Sequence, residues 1–155
     1  MKDPQHKITL ARRIGKPAER VYEAWTDADR MRLWAGDRVE ADTRIGGSYR
    51  FDNADGDTVY VHTGEFLVLE PGRRVRMSFR AGPEDSATDK RYSDEFIEVN
   101  LQPLPDGATE LLFVNGWNGD PLDEKGIEAV RQAWSEWLDR LETALAAEPE
   151  QETKQ

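Results

Sequence analysis

Near the end of the chain, Gly126-Ile127-Glu128-Ala129-Val130-Arg131-Gln132-Ala133-Trp134-Ser135-Glu136-Trp137-Leu138-Asp139-Arg140-Leu141-Glu142-Thr143-Ala144-Leu145 carries the strongest periodic signal in the sequence. At 100° per residue, Ile127, Val130, Trp134, Trp137, Leu138, Leu141 and Leu145 fall within about a 100° arc, the width of a helix packed on a core. Glu128, Gln132, Glu136, Asp139 and Thr143 fill the opposite arc. Two of the chain's five tryptophans sit on the apolar side. Truncating a buried Trp to Ala costs about 3–5 kcal/mol, so this face must be covered. Everything upstream reads mainly as strand. The spacing therefore predicts a long terminal helix with a sheet packed on it.

At 155 residues the chain is long enough for one domain with a sizeable core. It has no cysteine, which excludes disulfides, thiolate metal sites and Cys nucleophiles. Net charge is −10, from 31 acidic against 21 basic side chains, which disfavours nucleic acid and anionic membranes as partners. Met1 to Lys7 has no apolar run and no stretch approaches a membrane span, so a soluble, cytoplasmic protein is expected.

Upstream, residues 1–6 read as a flexible lead-in, residues 7–145 as the domain and residues 146–155 as a disordered polar tail. Lys7 to Ile14 alternates as a first strand, and Gly15-Lys16-Pro17 ends it with Pro17 suited to open a helix. Val21, Ala24 and Trp25 continue at helical spacing. Asp27 suits the cap of a second short helix bearing Met31, Leu33 and Trp34. From Arg38 the period is two: 38–44, 48–51, 58–70, 75–80, 95–101 and 109–117 read as strands. A bulge is expected at Gly64 and a hairpin turn at residues 53–57. Residues 81–94 read as a long loop. Asp120-Pro121-Leu122-Asp123 reads as a helix start with Gly126 dividing it from the main helix. The class is α+β, with a curved antiparallel sheet of about six to seven strands wrapped on the terminal helix.

Ile14 to Asp27, followed by Trp34 and Ile45-Gly46-Gly47-Ser48-Tyr49, carries a family resemblance. Gly64-Glu65-Phe66 with Leu69-Glu70-Pro71, Asp106-Gly107 with Thr109-Glu110-Leu111, and Trp134 with Leu138-Asp139-Arg140-Leu141 extend it over roughly residues 7–145. Together these segments resemble the Aha-like family of the START (SRPBCC) superfamily, named after activators of the ninety-kilodalton heat-shock chaperone's ATPase. Ala28, Ala108 and Ala133 depart from the family pattern in backbone details. The resemblance implies a helix-grip fold, with a cavity between sheet and terminal helix that holds an apolar or aromatic ligand. It also implies a chaperone as an alternative partner. That implication is weakened because the eukaryotic activators carry an additional N-terminal domain and this sequence starts at its first strand.

Trp34, Tyr49, Phe51, His62, Met77, Phe79, Val99, Phe113, Asn115, Trp117, Trp134 and Leu138 are the residues expected to line such a cavity, or else to fill it. His62 is the plausible near-neutral base, and a strand histidine satisfied by hydrogen bonds is its plainer reading. Asn115 lies on the apolar face of its strand and needs partners. Asp52, Asp55 and Asp57 around Gly56 lack the spacing of a calcium loop and read as a solvated turn. Arg74, Arg76 and Arg80 read as a solvated face paired with residues such as Glu98. The first expectation is a binder of a small hydrophobic molecule, with no cofactor and no metal, as a monomer or homodimer. A chaperone-associated interaction module is the second, and a cyclase or hydrolase working through His62 the third.

Overall fold

The computed structural model describes residues 4–83 and 92–148. Strand β1 (His6–Ile14) leads into helices α1 (Ala18–Thr26) and α2 (Ala28–Met31). Strands β2 (Arg38–Ala41), β3 (Ser48–Asp55), β4 (Thr58–Glu70), β5 (Arg74–Ser78), β6 (Arg80–Pro83), β7 (Tyr92–Pro103) and β8 (Thr109–Gly119) follow, then helix α3 (Glu124–Ala146). One antiparallel sheet runs in the order β1-β8-β7-β5-β4-β3-β2, with β6 paired to β4 off that path. Helix α3 packs on this sheet, a helix-grip arrangement. No helix among the described residues is long and apolar enough to cross a membrane.

The periodicity of the terminal run holds at every position. Trp134, Leu138, Leu141 and Leu145 are buried, Ile127, Val130 and Trp137 are half-buried, and the polar arc is exposed. The helix start differs from the sequence reading. Asp123 is the cap, its carboxylate accepting the Gly126 amide at 2.7 Å, and Pro121 lies outside the helix. Gly126 is part of the first turn rather than a break. Pro17 likewise precedes helix α1 instead of opening it. Asp27 caps α2 through the Asp29 amide, but α2 ends at Met31, so Leu33 is left 63% exposed rather than carried inward.

The described residues form eight strands, because two readings of β pairing change. The expected strand at residues 75–80 is broken at Phe79, and residues 80–83 of the expected loop form β6. At the other end of that loop, β7 begins at Tyr92; residues 84–91 lie outside the described residues. Arg80 therefore sits on a different strand from Arg74 and Arg76, which do meet Glu98 across the sheet at 3.6 and 2.7 Å. The register shift in β4 falls between Phe66 and Val68, not at Gly64.

Gly64 has another reason to be glycine. It lies where β4 passes from pairing β5 to pairing β6, and a Cβ there would stand 2.0 Å from the Ser78 carbonyl oxygen. The same carbonyl accepts the Tyr49 hydroxyl at 2.6 Å, while Ser78 Oγ accepts the Glu65 amide at 2.9 Å. Beyond Ser78 the sheet forks. One arm is β6 on β4, from Thr63↔Arg80 to Tyr60↔Pro83. The other is the start of β7 on β8, where Asp94 and Glu95 lie in a register shift between Ser93↔Asn118 and Phe96↔Gly116. The bond from the Phe79 amide to the Glu95 carbonyl, 2.9 Å, stands at the point of divergence.

The chain past Leu145 is also held. Arg20 and Arg30 pair with the Glu148 carboxylate, and Lys16 donates to its carbonyl at 3.3 Å. Residues 146–148 are therefore tied to the domain, and residues 149–155 lie outside the described residues. At the other end, the Gln5 amide donates to Asn118 and His6 bonds the Gly119 carbonyl, so residues 5 and 6 belong to the sheet edge.

Candidate functional site

Under α3 the interior is filled by aromatic rings rather than open. Trp25 and Trp34 stand edge to face at 4.7 Å, Trp34 and Trp137 at 6.0 Å, and Trp137 and Trp134 at 5.1 Å. Phe113 closes the ring, 4.7 Å from Trp134 and 6.1 Å from Trp25. Edge-to-face packing suits the ring quadrupoles and leaves little space. Tyr49, Phe51, Met77, Val99 and Leu138 fill the rest of this core and are each at most 1% exposed. Trp34 is held there by its Nε1–H bond to the Ala24 carbonyl. Trp117 lies apart, donating to the Asp120 carbonyl and packing on His6.

A cleft of about 220 Å³ lies in the fork of the sheet, lined by His62, Phe79, Ala81, Glu95, Asn115, Val130, Ala133, Trp134 and Trp137. Each arm contributes: β4 brings His62, β6 Ala81, β7 Glu95 and β8 Asn115, and α3 roofs it with its two tryptophans. An adjoining recess of about 530 Å³ shares His62, Ala81, Ala133 and Trp137 and extends past Tyr60 and Arg140. A separate groove of about 570 Å³ runs between the α2–β2 connection and the end of α3. Its polar walls, including Arg32, Asp37, Asp139 and Arg140, are exposed side chains in contact with water. The fork cleft combines aromatic walls with a few sequestered polar groups, the usual make-up of a small-molecule site.

Asn115 organises the floor. Its Oδ1 accepts the Trp134 indole N–H at 3.0 Å, and its Nδ2 donates to the Phe96 carbonyl and to Glu95 Oε2, both at 3.1 Å. The amide is thus satisfied within the protein, which answers the need its apolar strand face created. Burial pushes the Glu95 carboxyl from 4.5 up to about 7, the Asn115 bond only partly offsetting it. Burial also lowers His62 from 6.5 to about 4, against a smaller opposing pull from the Phe51 carbonyl. His62 is therefore an uncharged imidazole at neutral pH, stacked 4.9 Å from Trp137 and 5.7 Å from Phe79. Its Nδ1 is buried with no hydrogen-bond partner among the described residues.

Of the twelve side chains expected to line a cavity, His62, Phe79, Asn115 and Trp134 meet at the cleft. Of the other eight, Trp117 lies apart and the rest are buried in the core, Trp34 also lining the groove at the α2–β2 connection and Tyr49 a recess beside β2 and β3. Glu95 was missed, although it shares the inward parity of Ile97, Val99 and Leu101 and so stood out as an acid on an apolar face. It is also the acid in the same cleft as His62 that the sequence did not reveal. Trp137 was assigned inward by periodicity but not to the site. Ala81, Val130 and Ala133 carried no signal, since a small or aliphatic wall residue looks like any other.

Residues 16–146 match the model of the family described as activator of Hsp90 ATPase homolog 1-like protein. The chain belongs to that family. No curated protein matches significantly. Among solved structures, a protein of Rhizobium leguminosarum is similar at 23% identity and a TM-score of 0.73, over 92% of this chain and 95% of that one. Protein CV1439 of Chromobacterium violaceum is 26% identical with a TM-score of 0.68, over 88% and 95%. The Aha1 dimer of Colwellia psychrerythraea is 17% identical with a TM-score of 0.71, over 92% and 98%. These likenesses place this family member in the helix-grip fold, as the sheet and α3 do independently.

Proposed function

We propose that the protein binds a small apolar or aromatic molecule in the fork cleft. The observation that carries this reading is the Nδ1 of His62, buried and without a hydrogen-bond partner among the described residues, in a wall that includes Phe79, Trp134 and Trp137. A buried polar atom without a partner costs about 1–3 kcal/mol, a cost that a ligand atom bonded to it would relieve. Phe79, Trp134 and Trp137 supply the apolar contact and Glu95 a second polar anchor. The aromatic core beneath α3 supports the same reading from the other side: it makes the wall rigid, so the ligand meets a preformed shape.

A screen of small aromatic compounds by thermal unfolding tests this. A ligand present at 100 times its Kd stabilises the folded state by about 2.7 kcal/mol. Ala133 is exposed on α3 at the cleft wall, away from the core. Ala133→Trp should fill the cleft and abolish the shift while leaving the unliganded melting temperature nearly unchanged. No stabilising compound in a broad screen, or an undiminished shift in Ala133→Trp, would overturn the assignment.

A further inference from the structure

Other largely buried carboxylates of the described residues sit against a guanidinium. Asp52 has Arg50 at 2.7 Å, Glu98 has Arg76 at 2.7 Å, and Glu148 has Arg30 at 2.9 Å and also Arg20. Glu95 has only the neutral Asn115 amide, and no basic side chain among the described residues pairs with it. A carboxylate kept out of water without a counter-ion is costly, and the protein shows no such tolerance at the other positions named. Around it stand Phe79, Trp134 and Trp137; aromatic ring faces attract cations, and the Arg140 guanidinium lies over the Trp137 ring at 5.7 Å. A neutral imidazole can also offer the Nδ1 lone pair of His62 to an N–H donor.

We infer that the ligand of the fork cleft is a cation, an amine carried on an aromatic or apolar body, whose ammonium pairs with Glu95. This rests on the cleft being a ligand site, as proposed above. The apolar body lies against the tryptophans while the ammonium supplies the charge that the fold leaves out. A chain of net charge −10 favours the approach of such a ligand over that of an anion. Among the described residues, the groups facing Glu95 leave it the titrating partner near neutrality. His62 from β4 is uncharged down to about pH 4, and burial raises Tyr49 from β3 well above its ordinary value, so it stays neutral. Asn115 from β8 and Ala81 from β6 do not titrate. Arg140 of α3 lies at the outer recess.

Three matched probes test the inference by calorimetry: tryptamine, a cation; tryptophol, its neutral counterpart; and indole-3-propionate, an anion. Tryptamine should bind about tenfold or more tighter than tryptophol, and Glu95→Gln should erase that preference. A primary ammonium stays protonated to above about pH 9, so in the unmodified protein tryptamine affinity should fall as Glu95 takes up its proton below about pH 7. That arm needs no substitution and holds even if Glu95→Gln folds poorly. Tryptophol or the propionate binding as well as tryptamine, or a preference that survives Glu95→Gln, overturns the cation and leaves the cleft as a ligand site. Failure of all three probes to bind overturns the inference, and with a blank aromatic screen it overturns the ligand site as well.

Discussion

Glu95→Gln also has a consequence for folding that needs no ligand. Glu95 titrates at about 7 in the folded protein against an ordinary 4.5, so the folded state holds its proton to higher pH than the unfolded chain. Its contribution to stability is then greatest below about pH 4.5 and is lost as pH rises to about 7. At about 1.4 kcal/mol per pH unit, the full loss is at most about 3 kcal/mol, and less because Glu95 is half-buried rather than sealed. His62 runs the other way. The unfolded chain protonates at 6.5 and the folded one only at about 4, so the stability it contributes above pH 6.5 is lost as pH falls toward 4. Between about pH 4.5 and 6.5 the two slopes oppose each other and largely cancel. Gln removes one slope and keeps an acceptor for Asn115. In urea unfolding at a series of pH values, the stability of Glu95→Gln relative to the parent should rise between about pH 4.5 and 7.5. The rise should reach at most about 3 kcal/mol, with all other titrating groups cancelling in the difference. A difference that does not change with pH would refute the burial argument for Glu95, and the pH arm of the amine test with it.

Gly64→Ala should destabilise by about 2–3 kcal/mol in urea unfolding, because its Cβ would meet a backbone oxygen at 2.0 Å and not a side chain able to swing away; a change within about 0.5 kcal/mol would mean the fork is not tightly set there. Trp134→Phe keeps most of the packing but leaves Asn115 Oδ1 without its donor, and should cost about 1–3 kcal/mol by the same measurement. An unaltered midpoint would show that water or another donor takes the indole's place.

The parts of the fold set by short-range periodicity were legible from the residues alone. The arc from Ile127 to Leu145 and the inward row Ile97, Val99 and Leu101 both follow from side-chain spacing, and both hold. The fork was not legible, because it is a property of pairing between distant segments. Arg74 to Pro83 reads as a strand running into a loop; nothing local says that after Ser78 the chain keeps its pairing with β4 and leaves β7. Leu33 and Asp123 show the same limit at helix ends, where a single capping bond outweighs a favourable composition. The site followed suit. Aromatic residues marked a region that is either cavity or core, and most proved to be core, with the opening displaced to where backbone pairing divides. Glu95 was the exception: its parity already put an acid on the apolar side.

The fork divides two tasks in part among different residues. Close packing beneath α3 depends on Trp25, Phe113, Leu138 and Leu141, none of which lines the cleft, while Phe79 and Trp134 belong to both. The cleft depends on single positions drawn from four strand ends and the outer edge of the helix. A lineage, or an engineer, could exchange Glu95, His62, Ala81 and Ala133 in any combination and change which molecule is accepted without renegotiating the interior. Divergence of ligand choice at low cost to folding is what such a scaffold permits, and close relatives should differ most at those positions.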